Sequence, residues 1–306
     1  MADGQNLPIS LEGIKGVTGR FATGTTDGTV SNNVKFVASE FKEKPPLPRL
    51  NIAGLNIQNE GDFETNLGGL VAGSAVVERL PAPNRVGYAL KLTNPKTATR
   101  FDTIITPKLD AAQFPAFSFD YRCDDRVRLN FQFRWDGIDY SIKFLDRDNF
   151  PRDSKIVTLD PFVIPQANNE WTTASYNLLA AMKKARPDAK SFQVENLTLT
   201  DQNWMGNARG VYIWLDNFRF VPLVPKNFKA NATLRDLSGV SGVSYGFDQV
   251  PNSTPDESAE GSSVGPAQID LPESDRGAGI WYLHVRAKNH AGYWSEASHF
   301  PVFIGE

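Results

Sequence analysis

The chain has 306 residues, a formal net charge of -3 and a single cysteine, Cys123. A length above about 250–300 residues favours two or more domains, and scattered basic residues predict no nucleic-acid partner. One thiol excludes an internal disulfide and a multi-cysteine metal site, so we expect packing or a bound ion to supply the stability.

The hydropathy of the chain carries no membrane signal. No run of about 18 or more apolar residues occurs, which predicts that no helix spans a membrane. The first ten residues also lack the basic start and apolar stretch of a signal peptide. Such an N-terminus is compatible with a segment excised from a longer exported chain.

Apolar residues alternate with polar ones along most of the chain, which predicts strands throughout. Three runs in the middle of the sequence are expected to be neighbouring antiparallel strands of one sheet, with a hairpin at Asp136-Gly137. The polar residues that alternate with them, such as Asp120 and Arg122, are expected on a solvated outer face, with the alternative that they line a concave glycan groove. The predicted inward residues are Phe117, Phe119 and Tyr121, then Leu129, Phe131, Phe133 and Trp135, and then Tyr140, Ile142 and Phe144.

One helix is predicted, from Asn177 to Ala185. Asn177 is a favourable N-cap, and Pro187 follows the last turn. We expect a short crossover between strands. Its apolar stripe is Leu178, Leu179, Met182 and Ala185.

Proline-rich joints divide the chain. Residues 44–48 and 221–225 indicate domain boundaries, whereas residues 81–83 fall between strand-like runs inside a domain. We therefore predict three parts. They are a short N-terminal β segment at 1–48, a main domain at 49–221 and a small domain at 226–306.

Five tracts of the main domain resemble a known family in their order and character. They are residues 61–64 (GDFE), 118–122 (SFDYR), 171–177 with the helix after it, 191–199 (SFQVENLTL) and 212–220 (YIWLDNFRF). The resemblance is to the galactose-binding-like jelly rolls, which include many carbohydrate-binding modules, and it covers about half of the chain. It implies a jelly-roll β-sandwich and contains no catalytic signature. Carbohydrate binders, adhesion modules and architectural domains share this pattern, so it specifies the fold better than the ligand.

The small domain resembles fibronectin type III and bacterial immunoglobulin-like repeats. Residues 279–287 (GIWYLHVRA) and 289–292 (NHAG) carry the resemblance. It implies an all-β fold with a small immunoglobulin-like sandwich whose last strand is His299–Ile304. Residues 1–48 look similar to the tail of such a repeat, which would make the chain part of a longer array. The implied inward residues of the penultimate strand are Trp281, Leu283, Val285 and Ala287.

Asp216 lies in a closing strand that is apolar on both sides. An unpaired buried carboxylate costs several kcal/mol, so a partner is required. In the resembling modules the first and last strands often share a structural calcium, which implies that Asp62 or Glu64 meets Asp216 around the ion. The alternative is a hydrogen bond to Asp216 from an arginine or from backbone amides, and the sequence leaves both open.

A loop near the end of the main domain has the side chains that sugar binding requires. A pyranose stacks its apolar face on an aromatic ring and pairs its hydroxyls with planar polar groups. Trp204 with Asn203 and Gln202 supplies both, so we predict a glycan site there, with the alternative that Trp204 plugs the end of the sandwich. Trp135 and Tyr140 flank a tight turn and form a candidate second platform, although their place in the alternating pattern favours the core.

No catalytic constellation is visible in the sequence. The three histidines, His284, His290 and His299, all fall in the small domain, and His284 lies on the predicted solvent face of its strand. No GxSxG elbow, phosphate-binding glycine loop or HExxH motif occurs. We therefore expect no enzyme activity.

The sequence thus predicts a non-catalytic carbohydrate-binding or adhesion segment of a larger extracellular or cell-surface protein, with a polysaccharide or other glycan as partner. One alternative is a structural segment whose loops contact other protein chains of a surface assembly. Another is an accessory region of a polysaccharide-degrading enzyme. A buried Trp204 would favour the structural segment.

Overall fold

The fold is described from a computed structural model, in which residues 1–43 and residues 44–306 form two units. In residues 25–26, 29–30, 49–52, 229–233 and 267–270 only the backbone is described. The described residues are 25–26, 29–30, 49–52, 63, 66–85, 87–97, 100–145, 155–163, 169–201, 206–226, 228–233, 240–259, 267–270, 276–290 and 292–305.

The described residues form twenty strands and one helix. In residues 1–43, β1 and β2 pair antiparallel. The bounds are β1 Thr25–Thr26, β2 Thr29–Val30, β3 Arg49–Ile52, β4 Val71–Ala72, β5 Val76–Pro81, β6 Tyr88–Thr93, β7 Asp102–Asp110, β8 Ala116–Cys123, β9 Asn130–Trp135, β10 Ile138–Lys143, β11 Val157–Leu159, β12 Thr172–Asn177, α1 Leu178–Ala185, β13 Gln193–Thr200, β14 Tyr212–Val221, β15 Leu223–Val224, β16 Lys229–Thr233, β17 Val240–Asp248, β18 Ala267–Asp270, β19 Gly279–Asn289 and β20 Ser298–Ile304.

Strands β4 to β14 build a β-sandwich, which confirms the predicted all-β class. A six-stranded sheet has the order β11-β10-β9-β13-β7-β4, and a five-stranded sheet has the order β12-β8-β14-β6-β5. Aromatic rings from both sheets meet between them, because the ring centroid of Phe119 lies 5.5 Å from that of Phe131 and 5.2 Å from that of Phe218. The inward positions predicted for β8, β9 and β10 are all buried.

The predicted neighbourhood of these three strands was wrong. Strand β8 lies in the five-stranded sheet, whereas β9 and β10 pair in the six-stranded sheet. The chain therefore crosses the sandwich between Cys123 and Asn130. Alternation shows which residues point inward, but both sheets of a sandwich have an inward apolar face, so it does not show which sheet a strand joins.

The predicted helix is confirmed as α1, with Asn177 at its N-cap. The Asn177 side chain accepts a hydrogen bond of 3.0 Å from the backbone N–H of Ala180, which satisfies one of the free N–H groups of the first turn. Leu178, Ala181 and Met182 are buried, whereas Leu179 is half-buried and Ala185 is exposed, so only half of the predicted apolar stripe is correct. Within the described parts of the chain, no helix is long and apolar enough to cross a membrane.

The C-terminal part of the chain has a second hydrophobic core. Strands β15-β20-β19-β17 form one sheet, and β18-β16-β3 form another. Strand β3 precedes the sandwich in sequence, yet it pairs antiparallel with β16, whereas the sequence placed residue 49 in the main domain. The inward positions predicted for β19 are confirmed. The second core includes Val224, Phe228, Val243, Leu283, Val285, Ala287, Phe300, Val302 and Ile304, with Trp281 packed against it.

The opposite face of β19 and β20 lies against the outer face of the five-stranded sheet. Tyr282 faces the hydroxyls of Ser118 and Ser175, and His299 lies within the influence of the charges of Asp120 and Arg85. The solvent position predicted for His284 was wrong, since this residue is 0% exposed. Alternation correctly placed His284 on the face opposite the second core, but the five-stranded sheet of the main sandwich covers that face.

Candidate functional site

The outer face of the five-stranded sheet has two halves. The covered half, around Asp120 and Asp216, lies beneath the C-terminal sheet, so the solvated position predicted for Asp120 was wrong, since this residue is 6% exposed. The second half, here called the aromatic row, runs across the sheet at half-buried Trp214. Both halves come from the same strands, so their chemistry can be compared directly.

Arg85 is the cation that pairs with the two carboxylates of the covered half. Its Nη1 lies 2.7 Å from Asp120 Oδ2 and 3.6 Å from Asp216 Oδ2, and the two aspartates are cross-strand partners. Thr173 Oγ1 donates to Asp120 Oδ1 at 2.6 Å. Burial raises the pKa of Asp120, but the Arg85 charge and the hydrogen bonds from Thr173 and Asn217 outweigh it, so the pKa is lowered.

A β-bulge in β14 completes this cluster. The register with β8 shifts between Asp216 and Arg219, and Asn217 has a φ of 50°, a left-handed conformation that asparagine tolerates better than most residues. The turned backbone lets Asn217 Nδ2 donate to Asp120 Oδ2 at 3.0 Å. It also lets the Asn217 N–H donate to Asp216 Oδ1 at 2.8 Å.

Buried His284 and half-buried His299 belong to the same covered half. His284 Nδ1 lies 2.7 Å from His299 Nδ1, and His284 Nε2 lies 3.2 Å from Asp248 Oδ1. With an ionised Asp248 as acceptor, His284 carries its proton on Nε2 and accepts from the N–H of His299. Burial and the neighbouring His284, opposed by Asp120, lower the pKa of His299 to about 4. The sequence missed this pair because its two members lie 15 residues apart on separate strands.

The aromatic row consists of Glu78, Lys91, Trp214, Arg122 and Trp171. Lys91 is the cross-strand partner of both Glu78 and Trp214, and Trp214 is also the partner of Arg122. Trp171 precedes Thr172, which pairs with Tyr121, so Trp171 is next to Arg122. Neighbouring strands lie about 4.8 Å apart, so the row is about 19 Å long.

Hydrogen bonds fix the orientation of one end of this row. Arg122 Nε donates to Asn169 Oδ1 at 2.9 Å, and the Tyr212 hydroxyl lies 3.2 Å from the same oxygen. Trp171 Nε1 donates to the Pro83 carbonyl at 2.7 Å. Lys91 Nζ lies 5.1 Å from the ring centroid of Tyr212 and 5.7 Å from that of Trp214.

Trp135 and Tyr140, the predicted second platform, do not face a ligand. Each is 2% exposed, and their ring centroids are 5.2 Å apart in the sandwich core. Trp135 Nε1 donates to the Ser191 carbonyl at 2.9 Å. Their position beside a turn suggested a surface role, but the inward side of the strand alternation decides their burial.

The predicted site loop, with Gln202, Asn203 and Trp204, lies outside the described residues, and so do Asp62 and Glu64. The base of the loop is described. Asp201 accepts from the N–H of Phe101 at 2.9 Å and from the N–H of Asn207 at 3.0 Å. Asn207 also exchanges hydrogen bonds with the backbone of Arg128, so the residues on both sides of the loop are held in place.

Asp216 has an arginine partner, which is one of the two alternatives left open by the sequence. The described residues contain no group of three His, Cys, Asp or Glu side chains that could hold a metal ion. The calcium site stays a prediction, because two of its three carboxylates are not described.

Arg122 belongs to the polar face that the sequence offered as a possible glycan groove, but the aromatic row around Trp214 was not predicted, although its strongest signal was visible in the sequence. Tyr212 and Trp214 alternate with Ile213 and Leu215 in β14. A strand with large apolar residues on both faces has one face that needs a second explanation, either a covering layer or a ligand.

No protein-family model matches the sequence, and no curated protein is significantly similar to it. Among solved structures, a family 30 carbohydrate-binding module of a cellulosomal cellulase from Clostridium thermocellum is 14% identical, covers 58% of this chain and 93% of its own, and has a TM-score of 0.33. The glycoside hydrolase domain of Endo-D from Streptococcus pneumoniae R6 is 13% identical, with coverages of 76% and 36% and a TM-score of 0.32. A β-1,2-glucanase from Parabacteroides distasonis is 12% identical, with coverages of 82% and 38% and a TM-score of 0.30.

These neighbours include carbohydrate-binding modules and glycoside hydrolases. This chain spans only 36% and 38% of the length of the two hydrolases. At such identities and TM-scores no ligand and no activity passes from them to this chain. The fold defines a multi-sheet β-sandwich protein.

Proposed function

We propose that this chain is a non-catalytic carbohydrate-binding segment of a secreted or surface protein, and that the aromatic row contacts the glycan. The main support is half-buried Trp214, which has Lys91 and Arg122 as cross-strand neighbours on either side. An indole stacks on the apolar face of a pyranose, while an ammonium and a guanidinium donate to its hydroxyls.

The length of the row suits an extended ligand. About 19 Å across five strands accommodates several sugar units side by side. Trp171 and Trp214 lie on either side of Arg122, so two aromatic rings are separated by one set of hydrogen-bond donors, and the Arg85 guanidinium covers one face of the Trp171 ring at 4.4 Å from its centroid. A sugar chain presents apolar ring faces and hydroxyl groups in turn, which matches this alternation of apolar and polar contacts.

The polar groups of the row are already oriented before a ligand arrives. Asn169 accepts from Arg122 and lies 3.2 Å from the Tyr212 hydroxyl, and the Pro83 carbonyl holds the Trp171 indole. Side chains fixed in this way lose little rotamer freedom on binding, which favours affinity.

The absence of turnover is part of the proposal. Two sets of ionisable side chains, Arg85 with Asp120 and Asp216, and His284 with His299, are partners of one another in the covered half. A general acid or base must reach a substrate proton, and the carboxylates and imidazoles of these two sets lie against a protein layer instead.

We further propose that the C-terminal part is an immunoglobulin-like spacer. Sheets of four and three strands correspond to the two sheets of such domains. Strand β15 pairs in parallel with the last strand, β20. A rigid spacer beside a glycan-binding sandwich would suit a segment of a longer surface protein or an accessory region of a polysaccharide-degrading enzyme.

Binding of the full chain to a broad glycan array, with calcium and with chelator, tests the function. We expect selective binding that Trp214→Ala reduces at least tenfold, because the stacking surface is lost. Tyr293→Ala is the matched control, since Tyr293 is an exposed aromatic residue of the C-terminal part. Trp204→Ala reports separately on the loop that the sequence favoured.

Each outcome discriminates between hypotheses. Loss of binding in Trp204→Ala alone would move the site to that loop and refute the aromatic row. Absence of binding to any glycan, from a chain shown to be folded by circular dichroism, would refute carbohydrate binding and favour the structural segment of a surface assembly.

A further inference from the structure

We propose that the glycan bound at the aromatic row carries carboxylate groups, so that polysaccharides rich in uronic acid are its preferred ligands. The inference rests on the proposed glycan-binding function and specifies the ligand class of the same site. It comes from the charges beside Trp214.

Lys91 is the first of these charges. It is half-buried, and its ammonium lies near the rings of Tyr212 and Trp214. Glu78 is its cross-strand partner on the edge strand β5, yet Lys91 forms no ion pair with any carboxylate in the described parts of the chain. A cation that is partly withdrawn from water and next to aromatic rings attracts an anion more strongly than a fully solvated one.

Arg122 is the second charge. Its Nε donates to Asn169 Oδ1 at 2.9 Å, and its Nη1 donates to the Pro83 carbonyl at 3.4 Å. Both acceptors are neutral, and the described residues supply no carboxylate partner for Arg122. A guanidinium has five N–H donors, so three of them remain for a ligand after these two contacts.

Two arginines near Arg122 have carboxylate partners. Arg85, on the covered half, contacts Asp120 and Asp216. In the exposed turn after β8, Arg126 Nη2 lies 2.6 Å from Asp124 Oδ2. Arg122 differs from these two in having neutral partners among the described residues.

The spacing of the two cations matches a sugar stacked on Trp214. Lys91 and Arg122 lie one strand to each side of Trp214, so their backbones are about 10 Å apart. An equatorial carboxylate of a hexuronate points outward in the plane of the sugar ring. When that ring lies on the indole, the carboxylate points to one of the two cations and accepts charge-assisted hydrogen bonds.

The net charge of the whole chain opposes a preference for acidic glycans, so that preference has to come from local contacts. A formal charge of -3 repels a polyanion at long range, and Glu78 and Glu170 near the ends of the row add to that repulsion. Selective binding of an acidic polymer therefore requires the contacts of Lys91 and Arg122 rather than a general positive field.

The test compares polygalacturonate with its methyl ester, which has the same backbone without the charge. Affinity electrophoresis or calorimetry with the full chain is expected to show about tenfold tighter binding of polygalacturonate, the effect of one charge-assisted hydrogen bond. Arg122→Gln and Lys91→Gln are each expected to reduce that ratio to about threefold. Lys183→Gln, an exposed charge change on α1, is the matched control and should leave the ratio unchanged.

The outcomes separate this inference from the proposed function. Equal binding of polygalacturonate and the ester, with both lost in Trp214→Ala, would overturn the acidic preference and keep glycan binding. Binding of dextran sulfate as tight as that of polygalacturonate would overturn recognition of the carboxylate. Failure of all three polymers and of a neutral glycan array would refute the glycan-binding function itself.

Discussion

The two halves of the outer face of the five-stranded sheet use the same strands for opposite purposes. Strand β8 contributes Asp120 to the covered half and Arg122 to the aromatic row, two residues further along. Asp120 meets Arg85 at 2.7 Å beneath the C-terminal sheet, whereas Arg122 contacts only neutral oxygens among the described residues. Covering a sheet face demands internal neutralisation of its charges, and an open face can keep them for a ligand.

Removing the cation of the covered half should have the largest effect on the stability of that half. In Arg85→Met, Asp120 and Asp216 would remain buried and opposite one another without a counter-charge. We expect a loss of about 2 to 3 kcal/mol in the free energy of unfolding, somewhat below the value for a fully buried pair because the Arg85 side chain is 30% exposed. Urea denaturation followed by tryptophan fluorescence measures it.

Arg134→Met is the control for this variant. The Arg134 side chain is 54% exposed and lies 3.9 Å from an exposed Asp139, so we expect less than about 0.5 kcal/mol. A similar cost for both variants would show that the ion cluster does not hold the covered half together.

Acidification should weaken the covered half and spare the aromatic row. The folded-state pKa of His299 is lowered to about 4 from the usual 6.5, so the unfolded chain takes up the proton first. The stabilisation is complete above about pH 6.5 and is lost as the pH falls toward 4, by about 2 to 3 kcal/mol. Chemical denaturation at pH 7.5, 6.0 and 5.0 measures the slope.

His299→Gln should flatten that slope, since it removes the titrating ring. His290→Gln is the control, because His290 is exposed and its removal should leave the pH dependence intact. An unchanged slope in His299→Gln would contradict the assignment of this histidine to a buried contact.

A smaller effect is expected at the bulge. Asn217→Ala loses the hydrogen bond to Asp120 and places alanine at a φ of 50°, which should cost about 1 to 2 kcal/mol. Asn217→Gly loses the hydrogen bond but suits the backbone, so the difference between the two variants measures the strain. Strand β13 has another bulge, where its register with β9 shifts between Glu195 and Thr198, and Asn196 is exposed there with a φ of 51°. Asn196→Ala should therefore lower the free energy of unfolding by less than Asn217→Ala does. Thermal denaturation of these variants measures the differences.

The fold was largely predictable because alternation reports burial. The inward residues of β8, β9, β10 and β19, the helix and its Asn177 cap followed from local pattern alone. The assignment of β8 to a sheet, the pairing of β3 with β16 and the burial of His284 did not, because each depends on which parts of the chain meet in space.

The candidate site was likewise predictable only in part. The sequence indicated that Asp216 needs a partner, with an arginine as one alternative. It could not show that this arginine is Arg85, because Arg85 lies 131 residues away in the chain. It favoured Trp204 because that tryptophan interrupts a polar loop, and it overlooked Trp214 because that tryptophan belongs to a regular strand. An aromatic residue in a strand is normally explained by a core, and only the three-dimensional arrangement shows that the core of this sandwich lies on the other side.

The smallest effect on stability, with the largest effect on binding, is expected for Trp214→Ala. Its side chain is half-buried on an outer face, so truncation should lower the free energy of unfolding by less than about 1 kcal/mol. Truncation of Trp135, which is 2% exposed in the core, should cost about 3 to 5 kcal/mol. Thermal denaturation and glycan affinity, measured on both variants, should show that Trp135 contributes to stability and Trp214 to binding. A cost above about 2 kcal/mol for Trp214→Ala would mean that the row is packed as a structural layer, which would contradict the proposal that it binds a glycan.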